Sequence, residues 1–196
     1  MPNQYFTEVM HLKDKCNGNC LCDYRRRNKL VRKYSWAIPN DEALDKIALH
    51  SPIVEIGAGT GYWASLLKGR GADIKAYDSH PPNGLPGSNP YRHGKMWFSV
   101  KRGSFSVLAK HKNRALFLCW PPYNDPMAYD CLEAYEANGG KTFIYIGESS
   151  YGCNGDENFH EMLKCKWSLI KMVDLPQWEG IHDNLFIYKR NLDRSD

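Results

Sequence analysis

Three glycines at alternating positions, Gly57, Gly59 and Gly61, join a short apolar run to a segment with helical spacing, and this junction constrains the chain more than any other feature. Residues 49–56 are rich in β-branched side chains and stop at glycine, as a buried central strand does. Residues 62–67 space their apolar side chains as a helix does. Glycine removes the Cβ where a ligand must lie against the backbone and permits dihedrals that other residues avoid. The chain therefore turns beneath a ligand, between the first strand and the first following helix of an α/β sheet.

The spacing of the loop narrows the ligand. A dinucleotide fingerprint reads G-x-G-x-x-G, whereas here the third glycine arrives one residue early and Glu55 precedes the first. A second strand over 73–77 ends in Asp78, 17 residues after Gly61, where nucleotide-binding α/β folds place the carboxylate that accepts from ribose hydroxyls. The pattern Glu55-x-Gly57-Ala58-Gly59-x-Gly61 resembles motif I of the class I S-adenosylmethionine (SAM) dependent methyltransferases. The resemblance covers roughly residues 40–190 and implies SAM as cofactor. Glu55, Gly57, Ala58, Gly59 and Gly61 would line its loop, with Asp78 at its ribose.

Past this unit the α/β alternation continues. A helix over 41–49 is capped by Asn40 or Asp41, and a long loop rich in Pro, Gly and Asn spans 79–95, its tip placed to cover a cofactor. Strands are expected over 96–101, 115–119, 142–146, 168–173 and 185–189, and helices over 105–111, 127–136 and 159–165. The last two strands are separated by a short loop with no room for a crossover helix, so they should pair antiparallel. The expected fold class is α/β: a Rossmann-like, seven-stranded, mostly parallel sheet with an antiparallel last strand and helices on both faces.

Ligands of open α/β sheets sit outside the carboxyl ends of the strands, so the segment after the fourth strand should face the transferred group. It reads Trp120-Pro121-Pro122-Tyr123. It resembles motif IV of the amino-methyltransferases, [Asp/Asn/Ser]-Pro-Pro-[Tyr/Phe/Trp], which implies an exocyclic nitrogen of adenine or cytosine as acceptor. Trp120 departs from that pattern, since an indole donates one hydrogen bond and accepts none. It can stack on a planar base. Tyr123 keeps the aromatic place, and proline leaves the turn's carbonyls without competing donors. Glu148, just past the fifth strand, is the first candidate for a base and Asp125 the second. His182 lies in a polar hairpin with acidic neighbours, and Cys119, before the prolines, reads as core rather than as a nucleophile.

The positive charge is uneven. Residues 1–34 carry eight Lys or Arg against three acids, a balance of +5 in a chain of net +4. Residues 1–39 thus form a basic, cysteine-containing arm packed on or flanking a methyltransferase domain at 40–196. Arg25, Arg26, Arg27 and Lys29 are its candidate nucleic-acid contacts. Cys16, Cys20 and Cys22 lack the second ligand pair of a structural zinc site and are spaced too tightly for a radical-SAM cluster, so no metal is expected. Seven scattered cysteines, no membrane-length apolar run and an opening without secretory-leader character point to a cytoplasmic or nuclear address. The expected function is methylation of a base nitrogen, adenine, in RNA or DNA. A methyltransferase of a small aromatic or heterocyclic metabolite, or an inactive SAM- or nucleic-acid-binding module, stands as an alternative.

Overall fold

Along the central strands, neighbouring side chains belong alternately to two apolar cores, and this alternation places the sheet between them. In β1 (Ile53–Ile56), Ile53 joins one core while Val54 and Ile56 join the other. In β4 (Ala115–Cys119) and β5 (Thr142–Gly147), Phe117, Ile144 and Ile146 face the first core and Leu116, Leu118, Phe143 and Tyr145 the second. Strands buried on both faces need helices on both faces. Helices α3 (Asp41–Ala48) and α4 (Tyr62–Gly69) fill the first core, and α5 (Met127–Ala137) and α6 (Glu157–Lys166) the second. This computed structural model describes residues 2–15, 20–82, 95–149 and 152–191, without the side chains of 13–15 and 20–24.

The sheet is completed by β2 (Ile74–Asp78), β3 (Val100–Arg102), β6 (Trp167–Asp174) and β7 (Asn184–Arg190), in the order β3-β2-β1-β4-β5-β7-β6. Neighbours from β3 to β5 are parallel, and β7 runs antiparallel to both β5 and β6. The seven-stranded Rossmann-like sheet with an antiparallel last strand is therefore present. The insertion of β7 between β5 and β6 is a tertiary choice that local pattern does not encode.

Three boundaries differ from expectation. Residues 49–52 are not strand, because Leu49 caps α3 through its N–H to the Asp45 carbonyl and remains 76% exposed. Residues 96–99 leave the third strand because the Trp97 N–H donates to Thr60 O at 2.9 Å and its indole to Lys33 O at 2.7 Å. Phe105–Lys110 is 3₁₀ rather than α-helix. Residues 83–94 of the long loop, with its proposed covering tip, lie outside the described residues, as does Cys16; so do the side chains of Cys20 and Cys22.

The basic N-terminal stretch contributes α1 (Gln4–Lys15) and α2 (Cys20–Lys33), and it is anchored in the first core. The Tyr5 and Tyr34 rings stack at 4.9 Å, and Tyr34 meets Tyr62 at 4.8 Å and Trp97 at 5.2 Å. Polar edges are satisfied within the cluster. Tyr62 Oη accepts from the Tyr5 N–H, Trp178 Nε1 donates to Tyr5 Oη, and Tyr34 Oη donates to Glu8. Burial pushes the Tyr5 hydroxyl far above its usual range, and Tyr62 is pushed up to about 12 chiefly by burial. Such aromatic contacts add to the area buried. Tyr34→Ala should lower unfolding stability by about 3–5 kcal/mol, read as a fall in the urea midpoint at unchanged slope. A change under about 1 kcal/mol would show that Tyr34 does not hold the N-terminal segment in the core.

Candidate functional site

The carboxyl ends of β1 and β4 open onto one cavity of about 540 Å³, a volume ordinary for a small-molecule site. These adjacent strands mark the point where the sheet order reverses, and the loops leaving them part to form a crevice. The loop after β1 supplies Gly57, Ala58, Gly59 and Thr60, the end of β2 supplies Asp78, and the segment after β4 supplies Trp120, Pro121, Pro122 and Asp125. Val31, Tyr34, Ser35 and Trp36 line the cavity from the N-terminal region. Thr60 links these parts, donating its hydroxyl to Tyr34 O at 2.7 Å while its carbonyl accepts from Trp97.

Two glycines have distinct reasons to be glycine. At Gly59 (φ +53) an added Cβ would meet no protein atom within 4 Å, so it is the left-handed backbone rather than crowding that calls for glycine, and the position opens onto the cavity. At Gly61 (φ +74) a Cβ would lie 2.8 Å from Phe98 Cβ and 2.9 Å from Val100 Cγ2, so the missing side chain lets β3 approach α4.

Asp78 braces the loop. Its Oδ2 accepts from the Gly59 N–H at 2.9 Å and its Oδ1 from the His80 N–H at 2.8 Å. A carboxylate has about four acceptor sites, so capacity remains for ribose hydroxyls. Glu55 is only 1% exposed, lines the cavity, and its Oε2 is shielded from solvent without a hydrogen-bond partner. Burial, helped by repulsion from Asp78, pushes its carboxyl up to about 8. Without a ligand, Glu55 is thus a neutral acid near pH 7, and an approaching cation would favour its ionisation.

After β4 the chain makes a constrained turn. Trp120 adopts φ +58, unusual for a bulky residue. Its N–H donates to Ile146 O at 2.8 Å and its indole to Asp183 Oδ1 at 2.7 Å. Trp36 lies flat against it, ring centroids 4.6 Å apart and planes 9° apart. The expectation that the proline carbonyls stand free is corrected. Pro121 O accepts from Asn154 Nδ2 at 3.2 Å and Pro122 O from the Gly155 N–H at 3.1 Å. Tyr123 is 69% exposed, bridges to Gly155 and lines a separate cavity against α6 rather than this one.

Glu148 also departs from its expected place. It does not line the cavity, and its oxygens accept from the N–H groups of Cys153 and His182, each at 2.8 Å. Burial raises its carboxyl, but those bonds outweigh burial and hold it below the usual carboxylate range, so it staples two loops and is a poor base. The exposed His182 contributes its backbone to this staple. Asp125, the second candidate, does line the cavity. Asp183, 1% exposed behind Trp120, is raised to about 7 by burial against the opposing Trp120 hydrogen bond. Cys119 is half-buried and its thiol is held well above its usual range by burial and by Glu55, which makes it inert as a nucleophile.

Of the basic candidates, Arg25, Arg26 and Lys29 are exposed on α2, while Arg27 is half-buried with its guanidinium 5.6 Å from the centre of the Trp36 ring. Among the described residues no group of three or more His, Cys, Asp or Glu is arranged to hold a metal ion, and no helix is long and apolar enough to cross a membrane. Thr60, Trp36 and Asp183 escaped the sequence reading because their partners are distant in the chain.

Comparison with solved structures gives the fold. Magnesium protoporphyrin IX methyltransferase (ChlM) from Synechocystis PCC 6803, with bound SAM, is similar over 89% of this chain and 85% of that one, with 11% identity and a TM-score of 0.52. The glycopeptide N-methyltransferase MtfA, in complex with S-adenosyl-L-homocysteine, is similar over 76% and 89%, with 10% identity and a TM-score of 0.51. The N-methyltransferase NodS from Bradyrhizobium japonicum WM9 gives 78% and 94%, with 15% identity and a TM-score of 0.50. The chain shares the Rossmann-like fold of these methyltransferases. No protein-family model matches the sequence, and no curated protein matches it.

The raised Glu55 predicts a pH signature. Between its ordinary 4.5 and about 8 the native state keeps a proton that the unfolded chain has lost, so stability falls as pH rises across that window. Glu55→Gln removes this titration. Its urea midpoint relative to the parent should therefore climb from pH 5 to pH 8, and a constant offset would show that Glu55 is not held neutral.

Proposed function

We propose that this chain is a SAM-dependent methyltransferase acting on a planar heteroaromatic acceptor, a base nitrogen of RNA or DNA, with adenine as the base. The observation that carries the reading is a single cavity combining a glycine at φ +53 with empty space at its Cβ position, a strand-end Asp78 with spare acceptor capacity, and a shielded Glu55 oxygen without a partner. These residues fit the cofactor. Gly57 to Gly61 would underlie it, Asp78 would accept from its ribose, and Glu55 would meet positive charge. Bound there, SAM would supply a methyl group on a positively charged sulfur, activated for in-line displacement.

The chain's own contribution is placement and desolvation. Trp120, fixed by Asp183, Ile146 and Trp36, lines the cavity with the glycine loop, where it would hold a flat acceptor in place. Asp125, in the cavity wall, or solvent would take the proton that a methylated amine loses. Glu148 keeps the post-β5 loop in place rather than taking that proton. The basic face of α2, with Arg25, Arg26 and Lys29, supports a nucleic-acid acceptor. A small heterocyclic metabolite is the second reading, favoured by the engaged proline carbonyls and by Tyr123 lying outside the cavity.

Titration calorimetry with SAM, followed by methyl transfer to an adenine-containing oligonucleotide, tests the reading. Asp78→Ala should weaken SAM binding by about tenfold or more, and binding should rise with pH up to about 8 in the parent but less steeply in Glu55→Gln. SAM binding without transfer to any oligonucleotide would move the acceptor to small molecules. Unchanged affinity in Asp78→Ala would overturn the ribose assignment.

A further inference from the structure

The turn after β4 divides its residues between two cavities. Trp120, Pro121 and Pro122 line the first, while Tyr123 and Asn124 line a second, of about 870 Å³, that opens between α6 and the second-core face of β5, β7 and β6. Its floor is aromatic. Tyr145, Trp167, Phe186 and Tyr188 line it, and the rings of Tyr145 and Phe186, cross-strand partners in the β5–β7 ladder, stack at 5.7 Å. Tyr123 adds an exposed ring at the edge. Its backbone is held in place, because the Asn124 N–H donates to Gly155 O at 2.8 Å and the Gly155 N–H donates to Pro122 O at 3.1 Å.

The wall on the α6 side is acidic. Asp156, Glu157 and Glu161 line it, with Lys164 as the opposing charge among the described residues. Asp156 Oδ1 accepts from the Phe159 N–H at 2.9 Å and caps the helix, and Glu161 Oε1 accepts from the Cys165 thiol at 3.1 Å. His160 is tied through Nε2 to the Asn154 carbonyl at 2.8 Å. Glu157 is exposed and forms no hydrogen bond or ion pair with the described residues. Acids in a first turn answer the helix dipole; what sets these apart is the aromatic floor that they share a cavity with. Ring faces attract a cation through their quadrupole, and a carboxylate attracts it through charge. A phosphate would be repelled by the three acids, and an uncharged ring would leave Glu157 without a partner.

We propose that the second cavity binds an organic cation, an ammonium or guanidinium group, whose charge meets Glu157 and whose apolar body lies against the rings of Tyr123, Phe186 and Tyr188. This site is separate from the methyl-transfer cavity and stands without that reading. The cation belongs either to a free small molecule or to a lysine or arginine side chain of a polypeptide.

The test uses the full chain and two matched pairs of probes, measured by calorimetry: choline against its uncharged isostere, in which carbon replaces the quaternary nitrogen, and an end-blocked tripeptide with lysine or norleucine at its centre. The parent should bind the charged member of at least one pair about tenfold or more tightly than the uncharged one. Glu157→Gln should erase that preference, and Tyr123→Ala should weaken binding of the charged member. Both side chains are exposed, and an unchanged urea midpoint reports that each variant is folded. Asp78→Ala, in the first cavity, should leave cation binding as it is, whatever it does to SAM. A preference in the peptide pair alone assigns the cation to a polypeptide side chain, and one in the choline pair assigns it to a free molecule; either supports the site. Equal affinity within both pairs, no binding of any probe, a preference that survives in Glu157→Gln, or charged-probe binding that is indifferent to Tyr123→Ala or lost in Asp78→Ala would overturn the proposal.

Discussion

The pairing of β1 with β2 on one side and β4 on the other is the constraint from which the site follows. Parallel ladders put Glu55 opposite Ala76 and Phe117, so the loop after β1 emerges level with Asp78 and with the Cys119–Trp120 turn. No long-range force need assemble these groups, because three strand ends in register bring them to one rim. The Asp78–Gly59 hydrogen bond then fixes the loop against β2, and the gap between β1 and β4 becomes the cavity. Change that register and the carboxylates, glycines and indole part together, because a one-residue slip turns each strand's side chains to the opposite face.

A second layer closes the crevice. The basic N-terminal segment packs on the first core through Tyr5 and Tyr34, and Tyr34 and Trp36 form part of the cavity wall. Its docking shields the first face and lowers the polarity around Glu55 and Asp183, whose carboxyls burial raises to about 8 and about 7. Glu55, in the cavity wall, is therefore readily ionised by an approaching cation, whereas Asp183 lies behind the Trp120 indole and outside the cavity lining. The same segment brings the Arg27 guanidinium to within 5.6 Å of the centre of the Trp36 ring.

Much of this was legible in the chain, and what was not has physical reasons. The glycine loop, Asp78 and the alternation of elements are local signals, fixed by backbone conformation and hydrophobic period, and they stand in the structure where the spacing puts them. The Trp120–Asp183 bond spans 63 positions and the Thr60–Tyr34 bond 26, separations at which no local pattern reports a partner. Glu148 looked like a base because it follows a strand end, yet both its oxygens are taken by backbone N–H groups from loops whose approach only the tertiary fold decides. The Pro-Pro turn misled in the same way, its carbonyls engaged by Asn154 and Gly155. Insertion of β7 between β5 and β6 is likewise a topological outcome, and it is this strand's leading loop that carries Asp183 under the indole.

The central claim is that the cofactor lies across the carboxyl ends of β1 and β2, beneath the N-terminal wall. Amide hydrogen exchange followed by mass spectrometry, with and without S-adenosylhomocysteine, locates it directly. The account predicts new protection in peptides covering Gly57 to Gly61, Asp78 to His80 and Tyr34 to Trp36, with little change along β6. Protection confined to the second cavity, around Asn154 to His160 and Trp167, or absent from the glycine loop, would contradict it.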